Sequence, residues 1–216
     1  MRLMLKTKVL ILALLPVILL AIVLSLATAK ILLRVADDEV NSTRMRLMEE
    51  SRAELQHYMQ IALGSVQSLY DASAAGDMEA RAKAIAILSK IKYGKDSYFF
   101  GYDSNMVRLF RGDSPVDVGT SMKGRKDPNG VLVNDELVNV AKNGSNYVQY
   151  ATALPGKENV NVPKLAYSYY LPKWDMALGT AVNLDLIEGQ LNEVRAGIDE
   201  RIRSIVTSIA AVSYTH

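Results

Sequence analysis

The 216-residue chain has no cysteine, two histidines, three phenylalanines and one tryptophan. Without cysteine there is no disulfide, no thiolate nucleophile and no cysteine-based zinc site, so an exported domain must hold together by packing alone. The histidines, His57 and His216, stand far apart and match no metal-ligand spacing. No Gly-x-Ser-x-Gly turn, phosphate-cradling loop or cluster of metal ligands occurs. The chain is expected not to be an enzyme and to carry neither cofactor nor metal. Acidic residues are missing from residues 1–29, and residues 9–29 (VLILALLPVILLAIVLSLATA) carry no charge of either sign.

That uncharged run is what the sequence does contain in quantity. At about 1.5 Å per helical residue it extends about 31 Å, the thickness of a bilayer's hydrocarbon core. Arg2, Lys6 and Lys8 precede it, whereas Asp37, Asp38 and Glu39 follow soon after it. The positive flank predicts a cytoplasmic tail over residues 1–8, a transmembrane helix over 9–29, and export of the rest of the chain across that membrane. A cleaved signal peptide is the competing reading, but the run exceeds the usual apolar core of about 7 to 15 residues. Pro16 is tolerated in a membrane helix.

Residues 30–216 hold 22 of the 25 Lys and Arg and all 23 Asp and Glu, a net charge near −1. No nucleic-acid partner is implied. About 160 residues before the last helix suffice for one ordinary domain with its own core.

From residue 31 to about 70 there is no proline, and Leu55, Tyr58, Met59, Ala62, Val66 and Leu69 recur at three- and four-residue spacing. This predicts one long amphipathic helix, continuous with the membrane span. Its charged first half, 34–54, reads as a stalk that can pair with a second copy to make a homodimer. Asp77 is placed to cap a second helix over 78–93, with Ala82, Ile85, Ala86 and Ile91 as its buried stripe. After Gly94 the period becomes strand-like: 97–103 (SYFFGYD) and 106–111 (MVRLFR) read as a hairpin, followed by a polar loop over 112–126. Asp127 is expected to cap a short helix reaching about 142, with Pro128 at its first position. Strands are predicted over 145–153, 164–171 and 175–182. The fold class is then α+β: a half-open antiparallel sheet with helices on one face, a long N-terminal helix, and a transmembrane helix before it. Domain boundaries fall at 30–190 for the exported domain and 191–216 for an exit helix. Its last 13 residues begin a second membrane span without completing it.

The ordered set Tyr98-Phe99-Phe100, Asp103, Val107, Arg111-Gly112, Lys126-Asp127-Pro128-Asn129-Gly130, Val148-Gln149-Tyr150, Pro155-Gly156, Val162-Pro163-Lys164-Leu165-Ala166-Tyr167, Trp174 and Gly179-Thr180 resembles the single Cache domain, second type, of bacterial methyl-accepting chemotaxis receptors. The resemblance covers about residues 35–190. It implies a PAS-like sheet, a periplasmic sensor ahead of a cytoplasmic output, and a short carboxylic acid as ligand: acetate, propionate, pyruvate, lactate or malate. Such sensors also sit on histidine kinases and cyclic-dinucleotide enzymes. A membrane-anchored structural protein without ligand is the reading from another class.

The residues themselves favour an anion. Eight of the eleven tyrosines fall between Tyr93 and Tyr170, and Arg108, Arg111, Arg125, Lys126 and Lys164 lie among them. A phenol joins an apolar ring to a donor, and a guanidinium fork matches a carboxylate with two charge-assisted hydrogen bonds. Strand alternation places Arg108 with Met106 and Phe110, and Arg111 with Val107 and Leu109, so both arginines share a face only if a bulge intervenes. Arg111 is the first choice for the ligand's carboxylate, with Arg108, Lys164, Tyr102, Tyr147 and Tyr167 as further candidates. A rim salt bridge is the alternative for Arg111. The resemblance often has His at the position of Arg111, so arginine is a departure. A second fork would suit a dicarboxylate such as malate. Arg125 and Lys126 read as loop charges and Trp174 as core.

Overall fold

The computed structural model describes residues 5–94, 97–112, 114–154 and 157–214, without the side chains of 5–11, 18, 21, 22, 26, 153, 154, 157–160, 205, 206 and 208–214. The apolar run at 9–29 lies inside the first helix, α1 (Leu5–Ala72), which continues without interruption through Pro16. Among the described residues no helix is long and apolar enough to cross a membrane. The membrane expectations for 9–29 and for the last 13 residues fall in part outside the described residues.

The chain divides into two compact units. One comprises Met1–Met45 with Gln190–His216, the other Arg46–Gly189. The first contains the start of α1 and most of α4 (Asp185–Tyr214).

In the second unit, α1 buries Leu55, Met59, Ala62 and Val66, one stripe at four- and three-residue spacing. Helix α2 (Met78–Leu88) starts where Asp77 accepts a hydrogen bond from the Ala80 amide at 2.9 Å, the expected cap. It stops earlier than the expected residue 93, and its buried stripe is Ala80, Ala84 and Leu88 rather than Ala82, Ile85, Ala86 and Ile91. The chain then turns into a short strand that the sequence pattern did not show, β1 (Lys92–Tyr93).

The sheet continues with β2 (Ser97–Tyr102), β3 (Arg108–Arg111), β4 (Tyr147–Leu154), β5 (Lys157–Leu171) and β6 (Met176–Asn183). Its order is β1-β2-β6-β5-β4, with β3 also paired to β2, and every pairing is antiparallel. Gly179 on β6 pairs in register with Phe100 on β2, and a Cβ there would enter the Phe100 ring. The short row Ala177, Gly179, Ala181 thus makes room for the aromatics of β2.

Helices cover both faces, which corrects the expectation of helices on one face. Tyr58 of α1 stacks on Tyr93, and the Tyr147 hydroxyl donates to the Arg52 carbonyl of α1, so α1 lies against one face. The other face meets α3 (Val133–Asn143): Leu137, Val138, Val140 and Ala141 pack with Phe100, Tyr102, Val148, Ala166 and Ala177. A long chain segment between β3 and β4 carries α3 across, and local periodicity does not record which face it will choose.

Asp127 does not cap α3, whose first residue follows Leu132 with no side-chain cap. Its Oδ1 accepts from the amides of Asn129 and Val131 at 2.9 and 2.8 Å, and Oδ2 from Ala151 of β4 at 2.8 Å. It therefore closes the Asp127-Pro128-Asn129-Gly130 turn on itself and ties that turn to the sheet edge.

Candidate functional site

The α3 face of the sheet carries an array of hydrogen-bond donors. Tyr98, Phe100 and Tyr102 alternate onto this face from β2. Beside them, Arg111 pairs with Phe100 and Phe110 with Gly101, but Tyr102 pairs with Arg108, so Leu109 is an extra residue in β3. This bulge puts Arg108 and Arg111 on one face, the case that regular alternation forbids.

The two arginines are held differently. Arg108 donates from Nη1 to Asp117 Oδ2 at 3.1 Å and to the Val116 carbonyl at 3.3 Å, and from Nη2 to the Tyr102 hydroxyl at 3.1 Å. Its side chain is 12% exposed, and its buried Nε has no partner. Arg111 donates from Nε to the Tyr98 hydroxyl at 2.9 Å, with its guanidinium 5.3 Å from that ring's centre. No carboxylate among the described residues pairs with it.

Each tyrosine that accepts from an arginine keeps its own O–H hydrogen to donate. Tyr98 and Tyr102 thus present hydroxyl hydrogens beside the Arg111 fork. Tyr150 projects from β4 onto the same face and makes no hydrogen bond among the described residues. Burial pushes its hydroxyl's pKa up, and the neighbouring Tyr98 and Tyr102 add to this while Arg111 opposes it. Burial likewise raises the Tyr102 pKa against the Arg108 charge. Both phenols therefore stay protonated donors at neutral pH. One guanidinium without a counter-charge among the described residues, beside protonated phenols, has the chemistry to receive an anion.

Lys164 lies opposite Tyr150 on β5 and shares this face by register. Tyr147 and Tyr167 do not come to it. They pair with each other on the α1 face, rings edge to face at 4.9 Å, and their hydroxyls engage the Arg52 carbonyl and the Asn146 amide. A strand places adjacent residues on opposite faces, so Tyr147 and Tyr150 could not both enter. Tyr98 and Tyr150 were missed as candidates. The signal for Tyr98 was its two-residue spacing from Phe100 and Tyr102. Asp117 was missed because a loop aspartate nine residues from Arg108 has no periodic mark.

An open groove of about 470 Å³ lies elsewhere, along α3 and the edge strand β4. It is lined by Gly130, Leu132, Glu136, Val140 and Gln149, among others, and the only charge among its described lining residues is acidic. The described lining of this groove offers an anion no cation, whereas the donor array does.

A sequence profile for single Cache domain 2 matches residues 47–196. The chain belongs to the single Cache domain 2 family. It is 60% identical over 213 residues to the methyl-accepting chemotaxis protein CtpM of Pseudomonas aeruginosa, covering 99% of this chain and 38% of that protein. The chain therefore spans less than two fifths of the length of this curated relative. Among solved structures, a methyl-accepting chemotaxis protein from Vibrio parahaemolyticus matches with a TM-score of 0.63 at 32% identity, over 69% of this chain and 99% of the other. A further structure, described as the structural basis for carboxylic acid recognition by a Cache chemosensory domain, matches with a TM-score of 0.56 at 26% identity, over 65% and 97%. The shared region is a chemoreceptor sensor domain and not an enzyme.

This Cache sheet carries the motifs that gave the resemblance at structural joints as well as at the site. Asp127 ties its turn to β4, and Trp174 is buried, donating from Nε1 to Ser73 Oγ at 3.0 Å. Gly112, with φ +49°, sits against Tyr98, where an added Cβ would lie 2.9 Å from the Tyr98 Cβ. The Arg111-Gly112 pair therefore sets both the cation and the room for its phenol.

Proposed function

We propose that this chain is the sensing part of a bacterial methyl-accepting chemotaxis receptor and that it binds a short carboxylic acid on the α3 face of its sheet. The observation that carries the reading is the Arg111 guanidinium, held by a neutral phenol and matched by no acidic side chain among the described residues, beside the donors Tyr98, Tyr102 and Tyr150. Arg108, charge-balanced by Asp117, holds Tyr102 in place. Similarity to a Cache chemosensory domain described as recognising carboxylic acid supports the same ligand class.

The sensor lies in the periplasm in this reading, with residues 9–29 crossing the inner membrane. The uncharged run and its basic flank support that placement. Ile31, Leu33, Val35 and Met45 expose apolar side chains along α1, which supports a homodimer built on that helix. Bound acid biases the sheet between two arrangements, and β6, which runs directly into α4, carries the bias towards the membrane.

A thermal-shift screen of the purified chain in mild detergent tests the ligand class. Acetate, propionate, pyruvate, lactate and malate are compared with amino acids and amines. A rise in melting temperature with at least one acid and none with the amines is expected; stabilisation by amines alone would overturn the reading.

A further inference from the structure

The candidate site and α1 lie on opposite faces of the sheet, yet an unbroken set of contacts joins them. Arg111 Nε donates to the Tyr98 hydroxyl at 2.9 Å on the α3 face. The Tyr98 backbone carbonyl accepts from Thr180 Oγ1 at 3.0 Å. Thr180 is completely buried, and its oxygen also contacts the Tyr93 hydroxyl. Because the single Thr180 hydrogen goes to the Tyr98 carbonyl, Tyr93 must be the donor in that second bond. The direction of donation is thus fixed: Tyr93 to Thr180, and Thr180 to Tyr98. The Tyr93 ring then stacks on Tyr58 of α1, centres 3.8 Å apart and planes inclined by 25°.

Each link is constrained. Thr180 pairs in register with Phe99, so its backbone is fixed between β2 and β5. Tyr93 belongs to a two-residue strand whose register, Tyr93 with Ser97 and Lys92 with Tyr98, leaves little freedom to slide. Burial raises the Tyr93 pKa to about 12 against the opposing hydrogen bonds from Thr180 and Ser97, so the hydroxyl stays a donor over the whole physiological range. A movement of Tyr98 with Arg111 therefore meets a chain of short, directional contacts and not a deformable cushion.

We infer that Thr180 and Tyr93 are positioning residues that register the Arg111–Tyr98 clamp on α1, so that an anion held by Arg111 is sensed at Tyr58. The inference rests on the anion reading above and adds to it a route to α1 that is distinct from the direct continuation of β6 into α4. Coupling of this kind needs a differential response and not mere adjacency. A measurement at the far end decides it.

Hydrogen–deuterium exchange of residues 54–62 is followed in the full chain, in detergent, with and without the five acids named above, beside the melting shift in the same samples. In the wild type, an acid that raises the melting temperature should alter exchange over 54–62. Tyr93→Phe keeps the ring stack and removes the donor, and Thr180→Val removes the central hydroxyl. Both should keep the melting shift while the exchange response falls by more than about threefold, and Thr180→Ser should restore it. Should Thr180→Val fail to fold, Tyr93→Phe carries the test. A full exchange response in Tyr93→Phe overturns the inference, as does a wild-type melting shift without any change over 54–62. Loss of the melting shift itself in Tyr93→Phe also overturns it, because the residue then only shapes the site. Absence of a melting shift with every acid in the wild type removes the anion reading, and the relay falls with it.

Discussion

Arg108 and Arg111 stand three residues apart on one strand face and differ in what already holds them. Asp117 and the Val116 carbonyl occupy one arm of Arg108, and the Tyr102 hydroxyl the other, whereas among the described residues Arg111 spends only Nε, on a phenol. Charge-assisted hydrogen bonds contribute about 1.5–3 kcal/mol each, so Arg111→Ala should weaken acid binding by about 10- to 100-fold or more. The melting temperature without ligand should hardly change, since Arg111 has no ion pair among the described residues to lose. Titration of the variant by melting shift checks both. Asp117→Asn should act oppositely. It removes the counter-charge of Arg108, lowers stability by about 1 kcal/mol, and strengthens the response to anions, which the same melting titration would show. A weaker response to acids in Asp117→Asn would mean that Arg108 touches the ligand only while Asp117 orients it.

At the scale of elements, the sheet tolerates little change where strands approach closely. Gly179→Ala pushes a methyl group into the Phe100 ring and should cost about 1–3 kcal/mol, read by urea denaturation. The Asp127 turn gives an acid signature. Burial alone would raise the Asp127 pKa, but the amides of Ala151, Val131, Asn129 and Gly130 outweigh it and hold the carboxyl below 3.8. The unfolded chain thus takes up that proton first. The contribution of Asp127 to stability is complete above the unfolded value and is lost as pH falls from 3.8 through the folded value. Asp127→Asn should flatten that part of the acid limb in a denaturation series over pH; an unchanged limb would assign it to other carboxylates. The same turn shows where sequence reading stops. An aspartate before a proline and a helix fits both an N-cap and a turn closed on its own amides, and only the start of α3 after Leu132 separates them. The long helix, the Asp77 cap and most strands were legible because their periods are local. The bulge at Leu109 was not, since MVRLFR alternates equally well without it. Nor was the choice of face by α3, which depends on a connection and not on a pattern. Tyr147 and Tyr167 were candidates by residue type alone, and alternation sends them to α1.

At the scale of the whole molecule, the absence of cysteine makes the proposed homodimer directly measurable. Single cysteines at Ile31, Leu33, Val35 or Met45, all exposed on α1, should yield an oxidised species of twice the chain mass at one or more positions. Monomer at all four would contradict pairing along this helix. The reading as a receptor turns on one chemical distinction, between a carboxylate and its neutral twin. Calorimetric titration of the full chain compares propionate with propionamide and lactate with lactamide, in the wild type and in Arg111→Ala. Heat of binding should appear for an acid in the wild type, be absent for its amide, and fall away in Arg111→Ala. Equal binding of acid and amide, or acid binding that survives the loss of Arg111, would contradict a site built around that guanidinium.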